Sequence, residues 1–199
     1  MRKIGGVILA AGGSTRLGEP KQLLEFQGET LVHAAVRAAQ EGGCDVVCVV
    51  TGHARTEVES AVADLCPLLV HNEDWRRGMG LSIRLGLRAI QPVSAVVLLA
   101  CDQPAVDGDI VRALIARYEP SAQPLVASHY SDTLGIPALF DRSCFPALQK
   151  LPDGGGAKAV IYSDLARVAR FEFPDGALDL DSPEDLRAWR ARGAACPPR

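Results

Sequence analysis

The chain lacks three things: a block of like charge, a C-x-x-C pair and a long apolar run. Each absence removes a class of function. The formal net charge is -3 over 199 residues, and like charges never gather into a block. That is not the basic stripe of a nucleic-acid groove, nor a patch for an anionic membrane surface. No apolar run reaches the roughly 18 residues that a membrane-spanning helix needs. Met1-Arg2-Lys3 is basic, but the apolar residues behind it pass into glycines, an arginine and a lysine without a cleavage-like site. This is the pattern of a first core strand rather than a signal peptide. Among Cys44, Cys48, Cys66, Cys101, Cys144 and Cys196 there is no C-x-x-C pair, and several stand in apolar runs. Free, mostly buried thiols and a reducing cytoplasmic setting are expected. No histidine lies near Cys101 in sequence, which argues against a nucleophilic role. Internal repeats and low-complexity segments are also absent.

What is present alternates between two periods. Apolar runs recur at 4–11, 46–51, 67–70, 93–100, 125–128 and 168–173. Between most of them, at 30–40, 56–65, 82–90 and 109–118, apolar residues are spaced by three and four. Strands alternating with amphipathic helices predict βαβ crossovers. The expected fold is therefore α/β: a doubly wound, mostly parallel sheet with helices on both faces, in one domain over residues 1–199. A small excursion within it is expected over residues 128–165. Near the end, Ser182 is placed as the N-cap of a last helix, with Pro183 at its first position. In such sheets ligands bind beyond the carboxyl ends of the strands, so the loops there hold the candidates for chemistry.

The first loop, Leu9-Ala-Ala-Gly-Gly-Ser-Thr-Arg-Leu-Gly-Glu-Pro-Lys21, is glycine-rich and follows the first apolar run. A dinucleotide fingerprint needs G-x-G-x-x-G and an acidic residue ending the second strand. Here the glycines are Gly12, Gly13 and Gly18, and the second strand ends Thr51-Gly52-His53. A Walker A loop needs Gly-Lys-Ser/Thr, where this chain has Gly18-Glu19-Pro20-Lys21. What remains is an open glycine loop whose backbone N–H groups surround a triphosphate. Arg16 lies within it and Lys21 at its exit.

That loop resembles the signature of MobA-like nucleotidyltransferases. Four further stretches match the group in order: His71–Leu87 (HNEDWRRGMGLSIRLGL), Leu98–Pro104 (LLACDQP), Gly135–Phe140 (GIPALF) and Leu178–Leu186 (LDLDSPEDL). Leu17 stands where the group usually has methionine. The Cys-Asp-Gln-Pro and Gly-Ile-Pro-Ala-Leu-Phe pieces are most similar to molybdenum cofactor cytidylyltransferases. The related methylerythritol-phosphate enzymes carry an Asp-Ala-Ala-Arg-Pro stretch that this chain lacks.

The resemblance implies nucleotidyl transfer, with a phosphate oxygen of the acceptor attacking the α-phosphate of a nucleoside triphosphate and pyrophosphate leaving. Arg16, Lys21 and Asp102 are the implied catalytic residues. Asp102 and Asp181 are the implied ligands of Mg²⁺, with Asp179 as the alternative to Asp181. Nucleotide contacts fall on Leu9, Ala10, Ala11, Gly12, Gly13, Ser14, Arg16, Lys21, Thr51, Asn72, Gly80 and Ser82. Ser82 could equally be a plain helix N-cap, and Trp75 half core and half lid. Leu-Ala-Ala-Gly favours CTP over the Leu-Ala-Gly-Gly of guanylyl enzymes, a discrimination resting on Ala11. The acceptor would be molybdopterin or its molybdenum-bound form, and a molybdenum-dependent oxidoreductase could receive the product. The resemblance also implies that the excursion over residues 128–165 binds the acceptor. Taken singly, an aspartate before Gln-Pro is more often a turn former, and loop cations are more often solvated. Their joint occurrence carries the functional reading. Three alternatives stay open: another small-molecule nucleotidyltransferase, with GTP or ATP as donor or a phosphorylated acceptor such as methylerythritol phosphate; a nucleotide-sugar glycosyltransferase; and a non-catalytic nucleotide-binding cofactor chaperone. The D-x-D spacing of Asp179 and Asp181 comes too late in the chain for a glycosyltransferase.

Overall fold

A computed structural model describes residues 2–14, 17–180, 184, 185 and 187. Its strands are β1 (Ile4–Ala10), β2 (Glu25–Phe26), β3 (Glu29–Thr30), β4 (Val46–Thr51), β5 (Leu68–His71), β6 (Ala95–Ala100), β7 (Leu125–Tyr130), β8 (Thr133–Asp141) and β9 (Val168–Glu172). The helices are α1 (Leu31–Glu41), α2 (Arg55–Ser60), α3 (Met79–Ala89), α4 (Gly108–Ala116), α5 (Phe145–Gln149) and α6 (Ala157–Ile161). A seven-stranded sheet runs β5-β4-β1-β6-β8-β7-β9, and β2 pairs with β3 in a separate hairpin. β8 is antiparallel to both its neighbours, while the other pairings in the sheet are parallel. The fold is thus the mixed, mostly parallel α/β sheet that the alternating periods imply.

The near-continuous apolar strands divide between two cores because successive side chains point to opposite faces. On β1, Ile4, Ile8 and Ala10 join one core with Ala95, Val97 and Leu99 of β6, against Val32 and Val36 of α1 and Val111 and Leu114 of α4. Val7 and Leu9 join the other with Val96 and Leu98, against Ile83 and Leu87 of α3, Leu148 of α5 and Ile161 of α6. Helix starts are locally encoded. The Thr30 side chain accepts from the His33 N–H at 3.3 Å to cap α1, and Asp107 accepts from the Ile110 N–H at 2.9 Å to cap α4.

Several elements differ from the sequence reading. β8 lies in the stretch expected to be an excursion, yet it extends the central sheet against β6. Gly135 and Pro137 interrupt its apolar pattern, which hides a strand that tolerates both through a register shift at Ala127/Ser128 on β7. Ser82 is not an N-cap: α3 begins at Met79 with Gly78 before it. The Ser182 cap and Pro183 lie outside the described residues. Among the described residues no helix is long and apolar enough to cross a membrane.

Candidate active site

β1 and β6 are neighbours, and the chain leaves them on opposite sides of the sheet order. A crevice at the carboxyl ends of such a pair follows from the topology. The glycine loop emerges there from β1 and Cys101-Asp102 from β6.

The loop is held from behind. Gln22 is only 1% exposed, and its Nε2 donates to the Ala10 carbonyl at 2.9 Å and the Gly12 carbonyl at 2.6 Å. Because both contacts are to carbonyls, the amide orientation is fixed, and Oε1 has no hydrogen-bond partner. Ser14 takes a positive φ of 49°, accepts from the Leu17 N–H at 3.0 Å through its carbonyl, and accepts from the Lys21 N–H at 3.0 Å through Oγ. Gly13 faces Trp75: a Cβ there would stand 2.6 Å from the indole, so any side chain would displace the ring. Trp75 in turn packs against Gly52 and contacts the His53 ring at 5.3 Å between centroids.

Two clefts open at this edge. One, of about 330 Å³, is lined by Leu9, Ala11, Gly12, Lys21, Gln22, Trp75, Arg76, Gly78, Met79, Ser82, Ala100, Cys101 and Asp102. The second, of about 430 Å³, is lined by Met79, Ala100, Asp102, Gln103, Tyr130, Ile136, Gly156, Ala157, Lys158 and Asp179. Asp102, Ala100 and Met79 stand between them and belong to both. Lys21 Nζ donates to Asp102 Oδ2 in an ion pair whose partners are 18% and 17% exposed. The Leu180 N–H donates to the Asp102 carbonyl at 3.1 Å. Leu180 is fully buried with Leu24 and Leu31, which fixes the adjoining Asp179 beside the second cleft.

The sequence candidates therefore separate. Leu9, Ala11, Gly12, Lys21, Ser82 and Asp102 line the first cleft. Ala10, Gly13 and Ser14 shape the loop behind its surface. Thr51 is fully buried, with its hydroxyl donating to Glu59 at 3.2 Å, away from the cleft lining. Asn72, 1% exposed, donates from Nδ2 to Ser82 Oγ at 2.9 Å and so positions a lining residue. Gly80 packs on the 152–155 turn: its N–H donates to the Asp153 carbonyl at 2.9 Å, and a Cβ would meet the Pro152 carbonyl oxygen at 2.1 Å. Arg16 and Asp181 lie outside the described residues. Sequence reasoning missed Gln22, Arg76, Met79, Gln103 and Tyr130. A buried glutamine after a loop lysine, or a tyrosine in an antiparallel strand, carries no local signal.

Burial pushes the Cys101 thiol up to about 12, with the Asp102 charge adding to the effect. It is a neutral thiol at physiological pH, which removes it as a nucleophile. Burial likewise raises the Tyr130 phenol, helped by the charge of Asp179. Among the described residues no three His, Cys, Asp or Glu side chains cluster as a metal cage. A hard cation held by one or two carboxylates and phosphate oxygens does not need such a cage, and Asp102 stands open to both clefts.

The sequence profile of the MobA-like NTP transferase domain matches residues 6–168. The chain is 33% identical to nicotine blue oxidoreductase of Paenarthrobacter nicotinovorans, covering 91% of this chain and 93% of that one. It is 32% identical to purine catabolism protein PucB of Bacillus subtilis, covering 90% and 92%. It is 27% identical to molybdenum cofactor cytidylyltransferase of Escherichia coli, covering 96% and 98%. Among solved structures, Rv0371c of Mycobacterium tuberculosis superposes with a TM-score of 0.83 at 32% identity, over 96% of this chain and 98% of that one. A manganese complex of Rv0371c superposes with a TM-score of 0.79 at 30% identity, over 95% and 98%.

Proposed function

The chain belongs to the MobA-like NTP transferase domain family, and from that premise we propose that it transfers the nucleotidyl group of CTP to a molybdopterin-type acceptor with Mg²⁺. Nucleotidyl transfer from a nucleoside triphosphate to a small molecule is the family's chemistry. The base, the metal and the acceptor are the finer reading. The observation that carries it is the pair of clefts meeting at Asp102, one floored by the glycine loop and Lys21, the other by Tyr130, Lys158 and Asp179. Two adjoining clefts suit a donor and an acceptor that must be in line for one displacement.

In this reading the first cleft takes the triphosphate and the second the acceptor. A phosphate oxygen of the acceptor forms a bond to the α-phosphorus as the bridging oxygen between the α- and β-phosphorus leaves with pyrophosphate. Both reactants are anionic, so charge neutralisation and alignment do most of the work. Lys21, held at Asp102, neutralises charge on the departing pyrophosphate, and Arg16 in the same loop adds a second cation. Gln22 and Trp75 keep the glycine loop in place so that its N–H groups need not reorganise. Asp102, with Asp181 or Asp179, would hold the divalent ion. When bound, that ion screens the phosphate oxygens and polarises the α-phosphorus. The manganese complex of Rv0371c and the E. coli cytidylyltransferase support the metal and the acceptor class. Product handover to a molybdenum-dependent oxidoreductase would follow from that acceptor.

The similarity to nicotine blue oxidoreductase favours a second reading, hydride transfer. The glycine spacing and the Thr51-Gly52-His53 strand end weigh against it, since neither provides the dinucleotide turn or the ribose-binding acid. Asp102→Asn tests the proposal. Turnover should fall by roughly 10²–10⁴-fold, as when a group stabilising transition-state charge is removed, with an unchanged unfolding temperature. Near-normal pyrophosphate release by the variant would take Asp102 out of the chemistry.

A further inference from the structure

We infer that Arg76 is a polyphosphate-binding residue of the donor cleft, presented to the triphosphate by the Trp75 ring. The inference rests on the donor reading of the first cleft and names a contact within it.

Arg76 and Arg77 are sequence neighbours in one turn of 3-10 helix, Trp75–Arg77, yet their surroundings differ. Arg77 is neutralised: it pairs with Asp153 and lies 3.5 Å from Asp74. Arg76 has no carboxylate partner among the described residues. Its guanidinium lies over the Trp75 ring at 4.4 Å from the centroid and lines the first cleft. Stacking on an indole restricts a long, otherwise mobile side chain while leaving its N–H donors free at the edge. The same indole packs against Gly13, so the guanidinium and the glycine loop share one support.

Charge in the cleft points the same way. Lys21 and Asp102 line it as an ion pair and offset one another. Arg76 is then the charge in excess among the described lining residues. A triphosphate is strongly anionic, and a planar guanidinium fork matches two phosphate oxygens. A nucleoside has no such group to offer.

The test is calorimetric titration of the wild-type protein, Arg76→Gln and Arg76→Lys with CTP, CMP, cytidine and inorganic triphosphate at two salt concentrations. Arg76 is exposed, so the variants should unfold at the wild-type temperature. Arg76→Gln is expected to weaken CTP and inorganic triphosphate by about tenfold, the scale of one partly solvated charge-assisted contact. Cytidine should bind unchanged, CMP should lose less than CTP, and the salt dependence of CTP binding should become shallower. Arg76→Lys should fall between, keeping the charge and losing the stacked fork. Equal losses for CTP and cytidine would overturn the inference by placing Arg76 on the base or ribose, as would unchanged CTP and triphosphate affinity. Wild-type protein that binds CTP with this pattern but releases no pyrophosphate would sink the transfer reading and leave the Arg76 contact standing.

Discussion

Gln22 gives the sharpest test of how the glycine loop is held. Its side chain is 1% exposed, and its amide N–H groups satisfy the carbonyls of Ala10 and Gly12, where β1 becomes the loop. Gln22→Leu keeps the approximate volume and removes both donors. Each buried carbonyl left without a donor costs about 1–3 kcal/mol. One gain opposes this, because the Oε1 acceptor has no partner in the wild type and disappears with the substitution. The balance centres on roughly 2 kcal/mol of lost stability, or about 4–8 °C in Tm for a chain of this size. Gln22→Glu should be worse than Gln22→Leu, since a carboxylate would then face two carbonyl oxygens. Thermal unfolding gives the stability order, and titration with a nucleoside triphosphate reports the loop. The expected order in both is wild type, then Leu, then Glu. A Gln22→Leu protein as stable as wild type with undiminished nucleotide affinity would refute the idea that this amide sets the loop.

Gly80→Ala places a Cβ 2.1 Å from the Pro152 carbonyl oxygen, so α3 and the 152–155 turn must separate. We expect about 1–3 kcal/mol of destabilisation and a raised KM for the acceptor, read by thermal unfolding and steady-state kinetics. Alkylation at pH 8 followed by peptide mapping should label the exposed Cys66 and leave Cys101 and Cys48 untouched, because burial pushes both thiols up to about 12. Labelling of Cys101 as fast as Cys66 would contradict its burial. His33 is raised above its ordinary value: burial lowers it, but hydrogen bonds to Glu29 at 2.9 Å and Asp64 at 3.1 Å outweigh that. Its contribution to stability is therefore full below the unfolded histidine pKa and is lost as pH rises through the folded one. Denaturant unfolding across that window should show a decline in wild type that His33→Gln flattens.

The central strands were legible because an apolar run bounded by glycine and polar residues leaves little choice in a buried parallel sheet. The placement of Lys21 and Asp102 at one cleft was legible for a related reason: a glycine loop and a neighbouring strand end meet at the carboxyl edge of such a sheet. β8 was not, because Gly135 and Pro137 break the pattern that marks a strand, and only its antiparallel docking on β6 reveals its place. The β2–β3 hairpin was also missed; its turn, Gln27-Gly28, has positive φ at both residues, a conformation more often announced by Asn-Gly. Thr51 and Asn72 show how little a strand end says about where a polar side chain turns. The resemblance points both toward the nucleotide; in the fold the Thr51 hydroxyl donates to Glu59 and the Asn72 amide to Ser82. Which face a polar side chain takes depends on neighbours far away in sequence. The support of the loop by Gln22, and of Arg76 by Trp75, is tertiary in the same sense.

The most direct measurement is pyrophosphate release by the wild-type protein with CTP, GTP or ATP, each with and without molybdopterin and Mg²⁺, together with the mass of the organic product. Nucleotidyl transfer to a molybdopterin-type acceptor predicts pyrophosphate in step with an acceptor–nucleotide adduct, requiring both acceptor and divalent ion, and fastest with CTP. No pyrophosphate and no adduct under any of these conditions would contradict it.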